Sequence, residues 1–177
     1  GVGIVGAKLY YPDDTIQHAG VIVGLGGYAG HSHKYAKRGG SGYMFRAATV
    51  QDLSAVTAAC LLVKAAVYDE AGGLDEGFAV AFNDVDFCLR VRALGYRVLF
   101  TPYAELYHYE SKSRGLDTKG PARERFEGER RRMKRRYGES LLRDPFYNPN
   151  LTLDREDFSE SDALPKDDPV PGVPARG

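Results

Sequence analysis

The sequence lacks any apolar run long enough to span a membrane, and it carries no signal-peptide pattern. By composition the chain reads as soluble. Charge imbalance is lacking too: Lys plus Arg and Asp plus Glu each total 24, so net charge gives no reason to expect a nucleic-acid partner. Cysteine is scarce. Cys60 and Cys88 lie among apolar neighbours without metal-ligand spacing, and they read as small core residues in a reducing compartment. A dinucleotide-binding fingerprint is also missing, because the glycines of residues 24–42 do not join a strand to a helix. What is present is a chain of 177 residues, 43% hydrophobic, enough for one domain with a real core.

Taken in order, residues 2–9 and 16–23 are β-rich runs around Tyr11-Pro12-Asp13-Asp14-Thr15, which predicts a hairpin. Asp13 and Asp14 are explained by the turn, without metal chemistry. Gly1-Val2-Gly3-Ile4-Val5-Gly6 enters directly into strand-like sequence, so an upstream part is expected. Residues 24–42, rich in Gly and holding His31, His33, Lys34, Lys37 and Arg38, predict a mobile surface loop. His31 and His33 have the spacing of two ligands on one strand face but lack a third partner nearby. Small residues over 54–59 precede an apolar run, 60–63, read as a buried strand that a ligand or another backbone can approach closely. Residues 64–71 predict a short helix closed by Gly72-Gly73.

The richest stretch is Asn83-Asp84-Val85-Asp86-Phe87-Cys88-Leu89-Arg90. Asn83 or Asp84 can cap a helix whose apolar positions Phe87, Val91 and Leu94 follow at helical spacing, and Gly95 stops it. A carboxylate at the positive end of a helix dipole, on a rigid element, is suited to accept a proton from a hydroxyl. Capping alone is the blander explanation. Residues 97–101 and 104–108 predict two strands parted by Pro102. His108 follows them and precedes a polar loop with Lys112 and Arg114. Residues 119–136 form a highly charged helical candidate, most simply a solvated face. From residue 143 the chain reads as extended, and past 159 as disordered.

In order along the chain, Val5-Gly6-Ala7-Lys8-Leu9-Tyr10, Thr15-Ile16-Gln17-His18-Ala19-Gly20, Val56-Thr57-Ala58-Ala59-Cys60-Leu61-Leu62-Val63 and Gly72-Gly73-Leu74-Asp75-Glu76 are followed by the acidic octet, Tyr107-His108-Tyr109-Glu110-Ser111 and Asp144-Pro145-Phe146-Tyr147-Asn148-Pro149-Asn150-Leu151. This series resembles the C-terminal half of inverting family-2 glycosyltransferases of bacterial polysaccharide assembly. The resemblance implies an α/β chain with a partial GT-A fold, a mixed sheet flanked by helices, whose N-terminal nucleotide-binding half is missing. It implies three segments: 1–118 as the acceptor-side half of the catalytic domain, 119–140 as a charged helix, and 141–177 as an extended, partly disordered tail.

By the same resemblance Asp84 is the general base and His108 a ligand of a divalent metal, Mg2+ or Mn2+, that neutralises a departing diphosphate. Asn83 stands where the family usually has Glu, and can still hydrogen-bond a sugar hydroxyl. Thr57 and Ala58 match a segment lining the sugar pocket, Lys112 and Arg114 are candidate diphosphate contacts, and Asp86 is a secondary support or substrate contact. The implied partners are a nucleotide-diphospho-sugar donor and a glycan or lipid-linked acceptor, with no nucleic acid. The implied location is cytoplasmic, and the basic segment 123–136 is compatible with contact at the inner face of the membrane. The fragment alone is expected to be inactive. A non-catalytic glycan-binding or assembly module is the competing reading, and a metal hydrolase built on His18, His31, His33 and His108 a weaker one.

Overall fold

In the computed structural model residues 1–109 and 120–162 are described. A mixed five-stranded sheet forms the centre. Its spine is β1 (Val2–Tyr10), flanked on one side by the parallel strand β7 (Arg97–Tyr107) and on the other by the antiparallel strands β2 (Ile16–His18) and β6 (Leu61–Val63). The short strand β5 (Gln51–Asp52) pairs antiparallel with β7. A second, two-stranded sheet joins β3 (Val21–Val23) to β4 (Ala29–His31). The helices are α1 (Ala65–Glu70), α2 (Asn83–Ala93) and α3 (Gly120–Tyr137). The expected α/β class with a mixed sheet and helices holds.

Burial of β1 along nearly its whole length explains its central place, since Ile4, Leu9 and Tyr10 are at most 1% exposed. Gly6 is required there. A Cβ at this position would lie 2.5 Å from the Cβ of Val56, so the strand and the segment leading to Thr57 pack backbone against side chain. α2 buries Val85, Phe87, Cys88 and Val91. It closes as the sequence predicts: Gly95 adopts φ 87°, its N–H donates to Arg92 O, and Tyr96 N–H reaches back to Val91 O. That reciprocal pair of bonds is a Schellman stop, and it turns the chain straight into β7.

Several expectations are corrected. The hairpin pairs only β1 with β2; residues 21–23 leave for the second sheet. Residues 31–33 are not solvated loop, for Ser32 and His33 are 4% and 6% exposed. Strand β6 lies at the margin of the sheet, with Leu62 74% exposed, because only β1 pairs with it. Pro102 does not divide β7. It sits where the pairing with β1 is irregular, between Gly6↔Phe100 and Lys8↔Glu105, so no ladder bond depends on its missing N–H.

Helix α3 is not merely a solvated face either. Glu129 and Met133 are buried, and Arg132 and Arg136 reach Asp75. The tail beyond residue 143 folds back: Tyr147, Leu151 and Phe158 pack with Ile22 and Leu25 in a second apolar cluster. Asp144 fastens it, accepting from Val23 N, Ser54 Oγ and Phe146 N at 2.8, 2.7 and 2.9 Å.

Candidate active site

The head of α2 is built by strain and buttressing rather than by an acidic cap. Phe82 occupies the N-cap position at φ 64°, ψ 4°, without a side-chain cap, where Asn83 or Asp84 was expected. A left-handed backbone at a bulky residue costs on the order of 1–2 kcal/mol. Its ring is held against Phe126 and Tyr28, at centroid separations of 5.8 and 6.0 Å. The two preceding amides, Val80 N and Ala81 N, donate to the buried Glu129 carboxylate at 2.9 and 3.0 Å. The kinked entry is thus fixed from α3.

Freed from capping, Asp84 faces the segment of residues 54–58. Its Oδ2 accepts from Ala58 N at 3.1 Å and its Oδ1 from Val85 N at 2.8 Å, and the residue is half-buried. Asn83, also half-buried, is the first residue of the helix. Thr57 is 7% exposed; its Oγ1 accepts from Ala59 N at 3.3 Å, and its own N–H points to His18 Nε2 at 3.4 Å. Ala58 is exposed. Asp84, Ala58 and Thr57 therefore meet.

Asp86 does not share that surface. It is 0% exposed, and its carboxylate accepts from Arg90 Nε, Arg136 and the Tyr137 hydroxyl at 2.9, 2.5 and 2.7 Å. A direct substrate contact is corrected to a buried anchor that ties α2 to α3, because a sealed carboxylate with its oxygens occupied cannot meet a sugar. Cys88 is equally enclosed, and burial pushes its thiol up to about 12, which leaves it inert.

At the far end of β7, His108 N–H donates to Tyr10 O at 3.0 Å, and the half-buried ring sets Nδ1 2.8 Å from Gln17 Oε1. The antiparallel return from α2 to β7 puts both Asp84 and His108 towards the carboxyl end of the parallel pair β1 and β7. Contacts link the two through the segments between them: Ala58 N donates to Asp84 Oδ2, Thr57 N to His18 Nε2, and Gln17, beside His18, meets His108. Ligands of α/β sheets commonly bind at this carboxyl end. Lys112 and Arg114 lie outside the described residues.

His18, which the sequence reading left as one scattered histidine, is fully buried. Burial first, then neighbouring His31, hold its pKa well below the usual histidine range. Neutral, it accepts from Thr57 N through Nε2, so its proton is on Nδ1, which is buried and has no partner among the described residues. His31 packs edge-on against it with centroids 4.9 Å apart. His33 turns elsewhere, to Ser32 Oγ and Tyr43 N. Among the described residues no group of three or more His, Cys, Asp or Glu can share a metal ion. The four-histidine hydrolase thus finds no site there. His108 brings a single imidazole, with Nδ1 facing Gln17 Oε1.

This α/β chain thus holds one carboxylate on backbone amides at the head of α2 and tethers one imidazole at the end of β7. The chain is 55% identical over 159 residues to an uncharacterized protein, y4gI, of Sinorhizobium fredii, covering 89% of this chain and 18% of that one. It is 37% identical over 166 residues to the O-antigen biosynthesis protein RfbC of Myxococcus xanthus, covering 88% of this chain and 12% of the relative. An N-acetylglucosaminyl-diphospho-decaprenol L-rhamnosyltransferase of Mycobacterium tuberculosis is 32% identical over 62 residues, 35% of this chain and 20% of its own. The chain spans a fifth or less of these curated relatives. No family model matches it, and no solved structure does. Among the described residues no helix is long and apolar enough to cross a membrane.

Proposed function

We propose that this chain is the acceptor-side half of an inverting, GT-A-type family-2 glycosyltransferase that uses a nucleotide-diphospho-sugar in polysaccharide assembly. Relatedness to proteins named for O-antigen biosynthesis and rhamnosyl transfer supports the class. The observation that carries the chemistry is the half-buried Asp84 carboxylate, held at the head of α2 by the amides of Ala58 and Val85.

Asp84 accepts the acceptor hydroxyl's proton as that oxygen bonds to the anomeric carbon. The bond from this carbon to the diphosphate oxygen breaks on the opposite face, so the configuration inverts and the nucleoside diphosphate leaves with the electron pair. Backbone amides on Asp84 fix its direction without consuming all its acceptor sites. Asn83 and the Thr57-Ala58 segment border the sugar, and the diphosphate contacts that the resemblance implies for Lys112 and Arg114 lie outside the described residues. His108 would offer one nitrogen to Mg2+ or Mn2+. When bound, that ion supplies neutralising charge to the diphosphate. The acceptor is a glycan or lipid-linked saccharide met at the cytoplasmic side.

The test is Asp84→Asn in the complete protein carrying this segment. Turnover is expected to fall about 10²–10⁴-fold, the usual worth of a positioned base, while donor and acceptor affinity persist. Turnover near the parent value would remove Asp84 from the role and favour a glycan-binding module.

A further inference from the structure

The loop of residues 39–50 is firmly fastened at its base, yet its tip shows two large apolar side chains that no described residue covers. Met44 and Phe45 are 76% and 67% exposed, and both stand in the left-handed region, at φ 48° and 60°. Bulky L residues adopt that backbone only at a cost that the surrounding structure has to offset. Three buried residues do so here. Lys8, 4% exposed on β1, donates from Nζ to Ala47 O at 2.9 Å; His33 Nε2 accepts from Tyr43 N at 3.1 Å; and Ala47, fully buried, donates to Ser41 O at 2.9 Å. The Tyr43 ring stacks on Phe158 with centroids 4.9 Å apart. Gly42 is pressed so closely on His33 that a Cβ there would lie 2.4 Å from its ring. A mere connection needs neither the strain nor the exposed Met and Phe at its tip.

The charge around this tip is of one sign. No Asp or Glu occurs from Thr15 to Gln51, whereas Lys34, Lys37, Arg38 and Arg46 fall in that stretch. Arg38 is occupied by Asp14 and Glu105, but Lys34 and Lys37 make no ion pair among the described residues. Both stand close in sequence to His33, the partner of Tyr43. We propose that Met44 and Phe45 are an interfacial anchor that dips into an anionic lipid bilayer, with Lys34 and Lys37 against its headgroups. Apolar side chains rimmed by lysines suit that surface, because apolar burial and attraction to acidic lipids add. A protein partner fits less well, since lysine is depleted at protein interfaces. The loop is fastened to β1 through Lys8, two residues before Tyr10, whose carbonyl holds His108. The anchor therefore sets the carboxyl end of β1 and β7 towards the membrane, and it does not depend on the transfer chemistry.

Sedimentation of the complete protein with vesicles of phosphatidylglycerol and phosphatidylcholine in equal parts tests the anchor. The parent is expected to bind, and to bind less tightly as salt rises or when phosphatidylglycerol is left out. Met44→Asn combined with Phe45→Asn is expected to weaken binding about 10–100-fold, the worth of two partly buried apolar side chains. Asn tolerates the left-handed backbone, so this pair keeps the loop folded. Phe45→Trp is expected to bind at least as tightly as the parent, because Trp favours the interface. No binding by the parent, parent-like binding by the Asn pair, or weaker binding by the Trp variant overturns the proposal. The first of these is the outcome if another part of the complete protein covers the tip. Arg131→Ala, Lys134→Ala and Arg135→Ala together remove three exposed cations of α3. Loss of binding in that triple variant, with none in the Asn pair, assigns the contact to α3 and likewise overturns the anchor.

Discussion

Asp84 and Asp86 are two residues apart, and the structure gives them opposite tasks. Removing the side chain in Asp86→Ala leaves two arginines around an emptied, sealed space, which is expected to cost about 3–5 kcal/mol in urea unfolding. Asp84→Asn, at a half-exposed position, is expected to change stability by less than about 1 kcal/mol. Equal losses would show that the helix head does not distinguish them. His33 supplies a pH effect. Its burial, with Arg46 and Lys8 nearby, lowers its pKa to about 4, against about 6.5 for an exposed histidine. Between those values the unfolded chain binds more protons, so stability is lost as pH falls from about 6.5 to about 4. His18 adds in the same direction. The melting temperature should drop over that window, and less so in His33→Gln; an unaltered slope would remove His33 from the account. At this scale the start of a helix drew attention to Asp84, whereas its role as base and that of His108 as ligand were implied by the family resemblance. Gln17 stood in one of the quoted stretches without a role of its own, since its burial in a bulge and its partner 91 residues away are visible only in the fold.

Among elements, α2 was the most legible and its entry the least. Gly95 announces the C-terminal stop locally, whereas the N-terminal entry depends on Glu129, Arg132, Arg136 and Tyr137 of α3. Such distant pairing leaves no periodic trace, so α3 read as a charged, solvated helix. Glu129→Gln leaves one acceptor for two amides and exchanges a charged partner for a neutral one. It is expected to destabilise by about 1–3 kcal/mol and to raise hydrogen exchange at Val80 and Ala81. Unchanged exchange there would mean that Phe82 holds its conformation without α3. Gly6→Ala tests the strand side, where the new methyl meets Val56. Overpacking of this kind costs about 1–3 kcal/mol, read as a lower unfolding midpoint, and parity with the parent would show that Val56 yields freely.

For the molecule as a whole, the α/β class with a mixed sheet was implied by the family resemblance, but the second apolar cluster was not. Tyr147, Leu151 and Phe158 stand in Pro- and Asp-rich sequence that reads as extended, and only contact with Ile22 and Leu25 gives them a core. The purified 177-residue chain is expected to turn over no nucleotide-sugar, since the proposed donor half lies outside it; measurable transfer by this segment would overturn the division.

The parallel pairing of β1 with β7 has a consequence for biosynthesis. Gly6 meets Phe100, so a ribosome must deliver roughly 95 more residues before the first strand gains its main neighbour. Closing so long a loop is slow, and meanwhile an apolar ribbon has one flank open to other nascent copies. Stop codons falling before β7 should therefore yield insoluble product rather than a smaller folded piece.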